Sequence, residues 1–298
     1  MKVLVTGGAG FIGSNLALAL EVKGAAVVVL DNYLTGNDAN LKAFKGERVR
    51  GDAADFSLSK FGKLDAILHQ AAITDTTEMD QGKMFRANVT SHENVLRYAA
   101  KVGLRVVYAS SAAVYGKGKS PMRESQKPEP ANVYGVSKLK MDELTERFLK
   151  DQPQVTAVGL RYFNVFGPRE EFKASATSMV TQLANQIRSG KRPRVFKYGE
   201  QKRDFVYVKD VVRANLLAME AKQSGIVNVG TGRATTFNEV ILALNRVFGT
   251  SLEPDYFDNP YSFYQDNTEA DLTLAQKRIG YRPEFTTEEG IRDYLRKG

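Results

Sequence analysis

The sequence contains no cysteine, which excludes disulfide bonds, thiolate metal ligands and a cysteine nucleophile. Long apolar runs are absent as well, since no stretch approaches the roughly 18 uncharged apolar residues of a membrane helix. Gly7 and Gly8 interrupt the apolar core that an N-terminal signal peptide would need. We therefore expect a cytoplasmic protein that has no membrane span and no metal site.

The basic residues form no block, although the net charge is +8 over 298 residues. Excess positive charge favours anionic ligands. Lysine and arginine are nevertheless scattered among acidic residues, so we expect no nucleic-acid binding. A content of 43% hydrophobic and 26% charged residues is typical of a globular protein. The length allows one large domain or two fused domains around a full-sized core.

Residues 3–31 have the pattern of a strand, a glycine turn, a helix and a second strand. Gly7, Gly10 and Gly13 are three residues apart, so they can provide a tight turn, a close backbone approach and helix–strand packing. The pattern predicts a dinucleotide pyrophosphate at the helix N-terminus. Asp31 ends the second strand, where its carboxylate can accept hydrogen bonds from the adenosine ribose.

The rest of the chain continues this alternation of strands and helices, which predicts a doubly wound parallel α/β sheet of the Rossmann type. Beyond residue 165 the alternation weakens, and a late strand at 226–230 is expected to return to the main sheet. We therefore predict a dinucleotide-binding domain and a smaller substrate-binding lobe, with these bounds: 1–165 and 204–232 for the domain, 166–203 and 233–298 for the lobe.

Several strand ends carry residues that could reach a cofactor. Asp52 follows the third strand, where it could contact adenine or be a plain turn residue. Ala71 follows the fourth strand and is small enough to let backbone pass close to the cofactor. Asn88 is polar where a helix over 78–101 faces inward. His69 also ends the fourth strand, but a lone histidine there is more often a hydrogen-bonded structural residue.

Tyr134 and Lys138 are four residues apart on a helix that Asn132 can cap, so both side chains share one face. A free tyrosine has a pKa near 10, and an adjacent ammonium together with the positive ring of an oxidised nicotinamide would lower it. Ser111, at the end of the fifth strand, could share a substrate hydroxyl with Tyr134. The constellation predicts general acid/base chemistry coupled to hydride transfer.

Four segments of the chain have a combined pattern that is known from other proteins: 6–13, 110–116, 134–138 and 161–168. Together they resemble the extended short-chain dehydrogenase/reductase family, which acts on nucleotide-linked sugars, and the resemblance covers essentially the whole chain. In that family a serine, a tyrosine and a lysine form the catalytic triad, and Ser111, Tyr134 and Lys138 match them.

Within the family, segments 75–78, 161–170, 202–208 and 228–233 are similar to the branch that epimerises ADP-linked heptoses at carbon 6. The resemblance implies that Lys173 is a second acid/base opposite the tyrosine. It implies substrate contacts at Asn164, Ser175, Arg203 and Tyr264, with Gln182 in the place of a contacting histidine. It implies cofactor contacts at Phe11, Ile12, Asp31, Asn32, Asn88 and Val165.

Arg203 also suits a diphosphate because its planar fork can donate two hydrogen bonds, although a solvated surface arginine is the alternative. The chain departs from the branch at Phe263, which stands for an arginine, and near Asn37 and Asp38, where a lysine is missing. The missing lysine leaves both NAD and NADP open. We expect one tightly bound NAD or NADP per subunit, a nucleotide-sugar substrate and a homo-oligomer.

Other activities of the family remain as alternatives. A UDP-glucose/galactose 4-epimerase shares the triad but does not require Lys173. A dehydratase would need a carboxylate beside Ser111, and Ala112 and Ala113 provide none. A fucose-synthase type of reductase would use a cysteine. A cofactor-sensing protein without activity would usually have lost Tyr134 or Lys138, and both are present.

Overall fold

The computed structural model describes residues 1–258 and 267–296. In these two ranges the chain forms fourteen strands, numbered in chain order. They are β1 (Lys2–Thr6), β2 (Ala26–Asp31), β3 (Glu47–Arg50), β4 (Ala66–His69), β5 (Arg105–Ser111), β6 (Thr156–Tyr162), β7 (Asn164–Phe166), β8 (Arg194–Phe196), β9 (Lys202–Arg203), β10 (Phe205–Tyr207), β11 (Gly225–Val229), β12 (Thr235–Thr236), β13 (Asp255–Phe257) and β14 (Asn267–Thr268).

The same ranges contain nine α-helices. Among these residues, no helix has the length and apolar content needed to cross a membrane. The helices are α1 (Phe11–Val22), α2 (Gln81–Phe85), α3 (Ser91–Val102), α4 (Val133–Asp151), α5 (Met179–Arg188), α6 (Val208–Met219), α7 (Phe237–Phe248), α8 (Thr273–Ile279) and α9 (Thr287–Leu295).

Seven of the described strands form one parallel sheet in the order β11-β6-β5-β4-β1-β2-β3. The chain runs outward from β1 through β2 to β3 and then crosses to β4 on the other side of β1. This reversal leaves a crevice at the carboxyl ends of β1 and β4, where ligands bind in open α/β sheets. The prediction of a doubly wound parallel sheet is confirmed, as is the return of the late strand, because β11 pairs with β6.

Both faces of the sheet are buried, so its strands are apolar almost throughout. Alternate residues of β1 point to opposite sides: Val3 and Val5 pack with α1 and α6, and Leu4 packs with α3 and α4. Burial of each such side chain stabilises the fold by about 1.5–3 kcal/mol. The two apolar layers therefore fix the sheet, and polar residues concentrate where its strands end.

The long helix predicted over 78–101 is interrupted. Asp80 caps α2 by accepting from the backbone N–H of Lys83, and the chain then passes through a π-helical turn, Arg86–Thr90, into α3. Asn88 lies in that turn and is fully buried. Its side chain bonds the backbone of Ile73 through both N–H and C=O. At Asn88 the regular α-helix is thus interrupted, and the side chain connects the π-helical turn to the segment at Ile73.

Several of the remaining elements contribute to the pocket at the carboxyl ends of the sheet strands, whereas α8 packs beside β11 and α6. A third apolar cluster joins α5, α7 and α9 to β10. Strand β10 pairs with β7, and β9 lies between β12 and β14. The division of the chain into two domains with the bounds given above stays a prediction.

Candidate active site

A pocket with a volume of about 670 Å³ opens at the carboxyl ends of β1, β2, β4 and β5. This volume is in the range of small-molecule and cofactor sites. Most residues predicted to bind cofactor or substrate line it. They are Gly7, Gly10, Phe11, Ile12, Gly13, Asp31, Asn32, Asp52, Ala71, Ser111, Tyr134, Lys138, Asn164, Val165, Lys173 and Arg203.

The glycine turn between β1 and α1 has no room for side chains at Gly7 and Gly13. Gly7 has a φ of +66°, and a Cβ there would lie 2.6 Å from the backbone nitrogen of Ala71. A Cβ on Gly13 would lie 2.1 Å from the carbonyl oxygen of Gly7. Gly10 precedes the first turn of α1, which contains no acidic residue. The turn therefore exposes the positive end of a helix dipole to the pocket, as a dinucleotide pyrophosphate requires.

Asp31 is held at the end of β2 by two backbone donors. Its Oδ2 accepts from the N–H of Ala9 at 2.9 Å, and its Oδ1 accepts from the N–H of Tyr33 at 2.7 Å. Burial raises the pKa of this carboxyl, and the backbone hydrogen bonds oppose that shift. Beside it, the Asn32 amide lies 3.4 Å from an oxygen of Asp52. The three polar residues form the end of the pocket where the adenosine is predicted to lie.

The predicted triad is assembled on α4 and β5. Asn132 caps α4, as predicted, by accepting from the backbone N–H of Gly135 at 2.8 Å. Lys138 is 1% exposed, and its ammonium donates to the carbonyl of Ala109 at 2.8 Å. The same nitrogen lies 5.8 Å from the centre of the Tyr134 ring. Ser111 lies within hydrogen-bonding reach of the Tyr134 hydroxyl.

Burial acts on both titrating members of the triad. It raises the pKa of Tyr134, and the hydrogen bond from Ser111 opposes that shift. Burial lowers the pKa of Lys138 to about 8, although the nearby carboxylate of Asp142 acts to raise it. In the protein alone the phenol is thus favoured over the phenolate, contrary to the direction that the predicted chemistry needs. A lowered pKa of Tyr134 therefore requires further positive charge close to the phenol, such as that of an oxidised nicotinamide.

A buried polar network supports the triad from beneath, and the sequence reading missed it. Asp142, one turn after Lys138, accepts hydrogen bonds from the hydroxyls of Tyr108 and Ser110, each at 3.0 Å. It also accepts from the guanidinium of Arg161 at 3.0 Å, and both side chains of this ion pair are at most 6% exposed. The only sequence signal was a carboxylate eight positions after the tyrosine, which is also typical of a solvated helix face.

Two predicted residues lie next to the pocket wall rather than in it. The Asn88 amide donates to the Ser137 hydroxyl at 2.9 Å, and that hydroxyl donates to the carbonyl of Tyr134 at 2.7 Å. Asn88 therefore ties the wall at Ile73 to α4. The Nδ1 of His69 shares a hydrogen bond with the hydroxyl of Thr6 at 2.7 Å. Burial lowers the pKa of His69 to about 3. The structural role predicted for His69 agrees with this environment.

Lys173 lines the pocket from another segment, a short 3₁₀ helix, Glu171–Ala176. Its ammonium is 5.7 Å from the centre of the Phe11 ring, on the first turn of α1. Burial lowers the pKa of Lys173, and the carboxylate of Glu170 opposes the shift. A second titratable cation thus borders the pocket, on a different segment from Tyr134.

Arg203 and Asn164 meet the pocket from the covering elements. Asn164 donates to the hydroxyl of Thr268 at 3.2 Å, and Arg203 donates to the carbonyl of Lys202 at 2.7 Å. Gln182 is not among the residues that line the pocket. Its side-chain amide donates to the carbonyl of Thr177, which is a lining residue. The side chain of Ser175 and all of Tyr264 and Phe263 lie outside the described residues.

Tyr162 and Gln70 also line the pocket, and nothing in the sequence indicates that their side chains are joined. The Tyr162 hydroxyl donates to the side-chain carbonyl of Gln70 at 3.1 Å and accepts from the amide of Asn215 at 2.8 Å. Burial raises the pKa of Tyr162 above the usual range. This phenol is therefore a neutral, fully bonded part of the floor of the pocket and is unsuited to proton transfer.

Comparison with known proteins agrees with this geometry. Residues 3–230 match the model of the NAD dependent epimerase/dehydratase family, and the chain belongs to that family. Its class is that of the NAD(P)-dependent nucleotide-sugar epimerases, which are isomerases. The resemblance inferred from the sequence motifs is thereby confirmed, and so is the nicotinamide cofactor.

Individual solved structures are similar over nearly the whole chain. The ADP-L-glycero-D-manno-heptose-6-epimerase of Helicobacter pylori is 41% identical, with a TM-score of 0.92 over 99% of this chain and 95% of that one. The UDP-glucose 4-epimerase of Thermotoga maritima is 31% identical, with a TM-score of 0.92 over 100% and 99%. The UDP-glucuronic acid 4-epimerase of Bacillus cereus, solved with NAD, is 27% identical, with a TM-score of 0.88 over 100% and 99%.

Proposed function

We propose that the protein epimerises an ADP-glycero-manno-heptose at C6″ through a transient 6″-ketone. The observation that carries the proposal is that two titratable groups from separate segments, Tyr134 and Lys173, line one pocket. Inversion of a carbon by oxidation and reduction presents its oxygen in two positions, and each position needs its own proton donor or acceptor. The similarity to the heptose epimerase of H. pylori supports the same conclusion.

In the proposed reaction the C6″ hydroxyl loses its proton to one of the two residues. The chemistry that NAD or NADP would supply, when held by the glycine turn and Asp31, is acceptance of the hydride of that carbon and its return after the sugar terminus has turned. The ketone oxygen then takes a proton from the other residue. Tyr134 serves one face and Lys173 the other, while Ser111 donates a hydrogen bond to the oxygen on the Tyr134 side. Each proton transfer contributes roughly 10²- to 10⁴-fold to the rate.

The same proposal assigns the anchoring of the substrate to Arg203 and Asn164. A guanidinium binds a diphosphate through two parallel hydrogen bonds, which fix orientation as well as position. With the nucleotide diphosphate held, rotation about the bond from the ring to C6″ changes the face of the ketone without moving the rest of the ligand. A hexose epimerised at C4 must instead turn its whole ring, and this favours the heptose.

The cofactor is proposed to remain bound between turnovers, because the hydride that is removed has to return to the same substrate. Gly7, Gly10 and Gly13 would hold its pyrophosphate and Asp31 its adenosine ribose. The carboxylate of Asp31 disfavours a 2′-phosphate, whereas Lys42 or Lys45 could compensate for it. Denatured protein should release one NAD or NADP per subunit, and competition between the two would establish the preference.

The test of the substrate is a panel of ADP-heptose, UDP-glucose and UDP-galactose with the wild-type protein, run in D₂O and followed by NMR. We expect inversion of ADP-heptose at C6″ with its own hydrogen retained there. Efficient conversion of UDP-galactose and none of ADP-heptose would favour the 4-epimerase, which the similarity to the T. maritima enzyme makes the second candidate. Deuterium at C6″ would contradict hydride return.

A further inference from the structure

The carboxylate of Glu170 is fully buried at the base of residues 167–178, which we call the Lys173 loop. Its Oε1 accepts from the backbone N–H of Gly167 at 3.1 Å and from the hydroxyls of Ser178 and Thr181. Its Oε2 accepts from the backbone N–H of Ser178 at 2.8 Å. A buried carboxylate is strongly unfavourable unless donors replace its water, and here four donors do.

These hydrogen bonds join the two ends of the Lys173 loop. Gly167 opens the loop, and Ser178 closes it as the N-cap of α5, with its hydroxyl accepting from the backbone N–H of Thr181. The carbonyl of Glu170 also accepts from the backbone N–H of Lys173 at 3.0 Å. One residue thus determines both the span of the loop and the start of its 3₁₀ helix.

The position of the loop decides what the lysine can reach. The ammonium of Lys173 lies 5.7 Å from the centre of the Phe11 ring, beside the glycine turn. The stem of a lysine is flexible, so only its backbone position and its nearest partners keep the ammonium at one place. A shift of about 1 Å at a catalytic group can cost roughly 10²-fold in rate.

We propose that Glu170 is a positioning residue, whose buried carboxylate closes the Lys173 loop and holds Lys173 at the pocket. This inference rests on the proposed role of Lys173 as the second acid/base. It adds a residue that touches neither substrate nor cofactor and acts on the reaction through the place and charge of the lysine. The Tyr134 side of the pocket is independent of it.

The negative charge of Glu170 has its own consequence, because it raises the pKa of Lys173 while burial lowers it. Other ionisable groups surround the loop: Arg169 and Glu171 flank Glu170, and the hydroxyl of Tyr294 on α9 is 3.4 Å from that of Thr181. Tyr134 and Arg203 border the same pocket. Removal of the Glu170 charge lowers the pKa of Lys173, whatever the state of these groups.

The test is Glu170→Gln, with Glu171→Gln as a matched control at the exposed neighbouring carboxylate. An amide keeps the size but loses the charge, and its NH₂ cannot accept from one of the four donors. We expect epimerisation to fall on the order of 10²-fold. For the epimer oxidised through Lys173, kcat/KM rises with pH as the lysine loses its proton. This limb should shift to lower pH in Glu170→Gln, because the variant loses the charge that raises the pKa of Lys173, and it should not shift in Glu171→Gln.

Two further measurements separate the possible failures. Reduction of a 6″-aldehyde analogue through Tyr134 reports whether Glu170→Gln is folded, and Glu170→Asp keeps the charge if the glutamine variant does not fold. Glu170→Asp should lose rate but keep the limb near its wild-type pH. A wild-type rate and limb in Glu170→Gln would overturn the positioning role and leave Lys173 as the second acid/base. Full epimerisation by Lys173→Met would overturn the proposed function itself.

Discussion

The two walls of the pocket are built in different ways. The wall that bears Tyr134 and Lys138 belongs to the sheet and to α4, and the buried pair of Asp142 and Arg161 secures it. The wall that bears Lys173 is a loop closed by hydrogen bonds, and its neighbouring residue Phe172 is 44% exposed. The first wall is thus held by packing and a buried ion pair, whereas the second depends on hydrogen bonds to one buried carboxylate, that of Glu170. The position of each wall therefore rests on a different kind of contact.

The largest expected effect tests the first wall directly. Tyr134→Phe removes the phenol that we propose exchanges a proton with the substrate, so epimerisation should fall about 10²- to 10⁴-fold. The ring stays in place, and the variant should therefore retain its fold and its cofactor. Activity and released cofactor are measured on the same preparation. Near-normal turnover would show that Tyr134 does not take part in the chemistry. The proposed difference between the two walls would then fail as well.

The next effect concerns the support of that wall. Asp142→Asn leaves the buried guanidinium of Arg161 without a counter-charge, so the free energy of unfolding should fall by about 3–5 kcal/mol. The control is Glu143→Gln on the same helix, whose pair with Lys140 is half exposed on both sides. The control should change stability by less than about 0.5 kcal/mol. The free energy of unfolding is measured by urea denaturation. Equal losses in the two variants would show that the buried network does not secure the wall.

A smaller effect of opposite sign is expected at Lys138. Its pKa falls to about 8 in the folded protein, so between that value and about 10.4 the unfolded chain binds more protons. Stability should therefore rise as the pH rises through this window, and Lys138→Met should remove the rise. At pH 7 the variant should be more stable by about 1–2 kcal/mol, because it no longer buries a charge. It should bind cofactor more weakly, and urea unfolding at several pH values measures the difference.

The two walls also differ in how far the sequence could predict them. The glycine spacing, Asp31, and the pair formed by Tyr134 and Lys138 lie within short stretches, so local pattern and helical periodicity placed them correctly in one pocket. The doubly wound sheet followed from the same alternation of elements. Family resemblance alone pointed to Lys173, since nothing in its neighbourhood has a period or a spacing that reports a fold.

Partnerships across the chain were beyond the sequence. Asp142 and Arg161 come together only because α4 packs on the sheet beside β6, and Glu170 is buried only because its loop closes over α5. The effect of burial, which raises the pKa of Tyr134 in the protein alone, was also beyond the sequence. A helical spacing reports which groups are adjacent but not how much water they lose, since burial is a property of the assembled pocket.

The most direct measurement compares Lys173→Met with Tyr134→Phe on ADP-heptose, with UDP-galactose as the second substrate. Both variants should be crippled as epimerases, because each removes the proton exchange on one face. Each should still carry out one half-reaction on a 6″-aldehyde analogue, because the other wall is intact. Normal epimerisation by Lys173→Met, together with efficient conversion of UDP-galactose by the wild type, would contradict the account and identify a 4-epimerase.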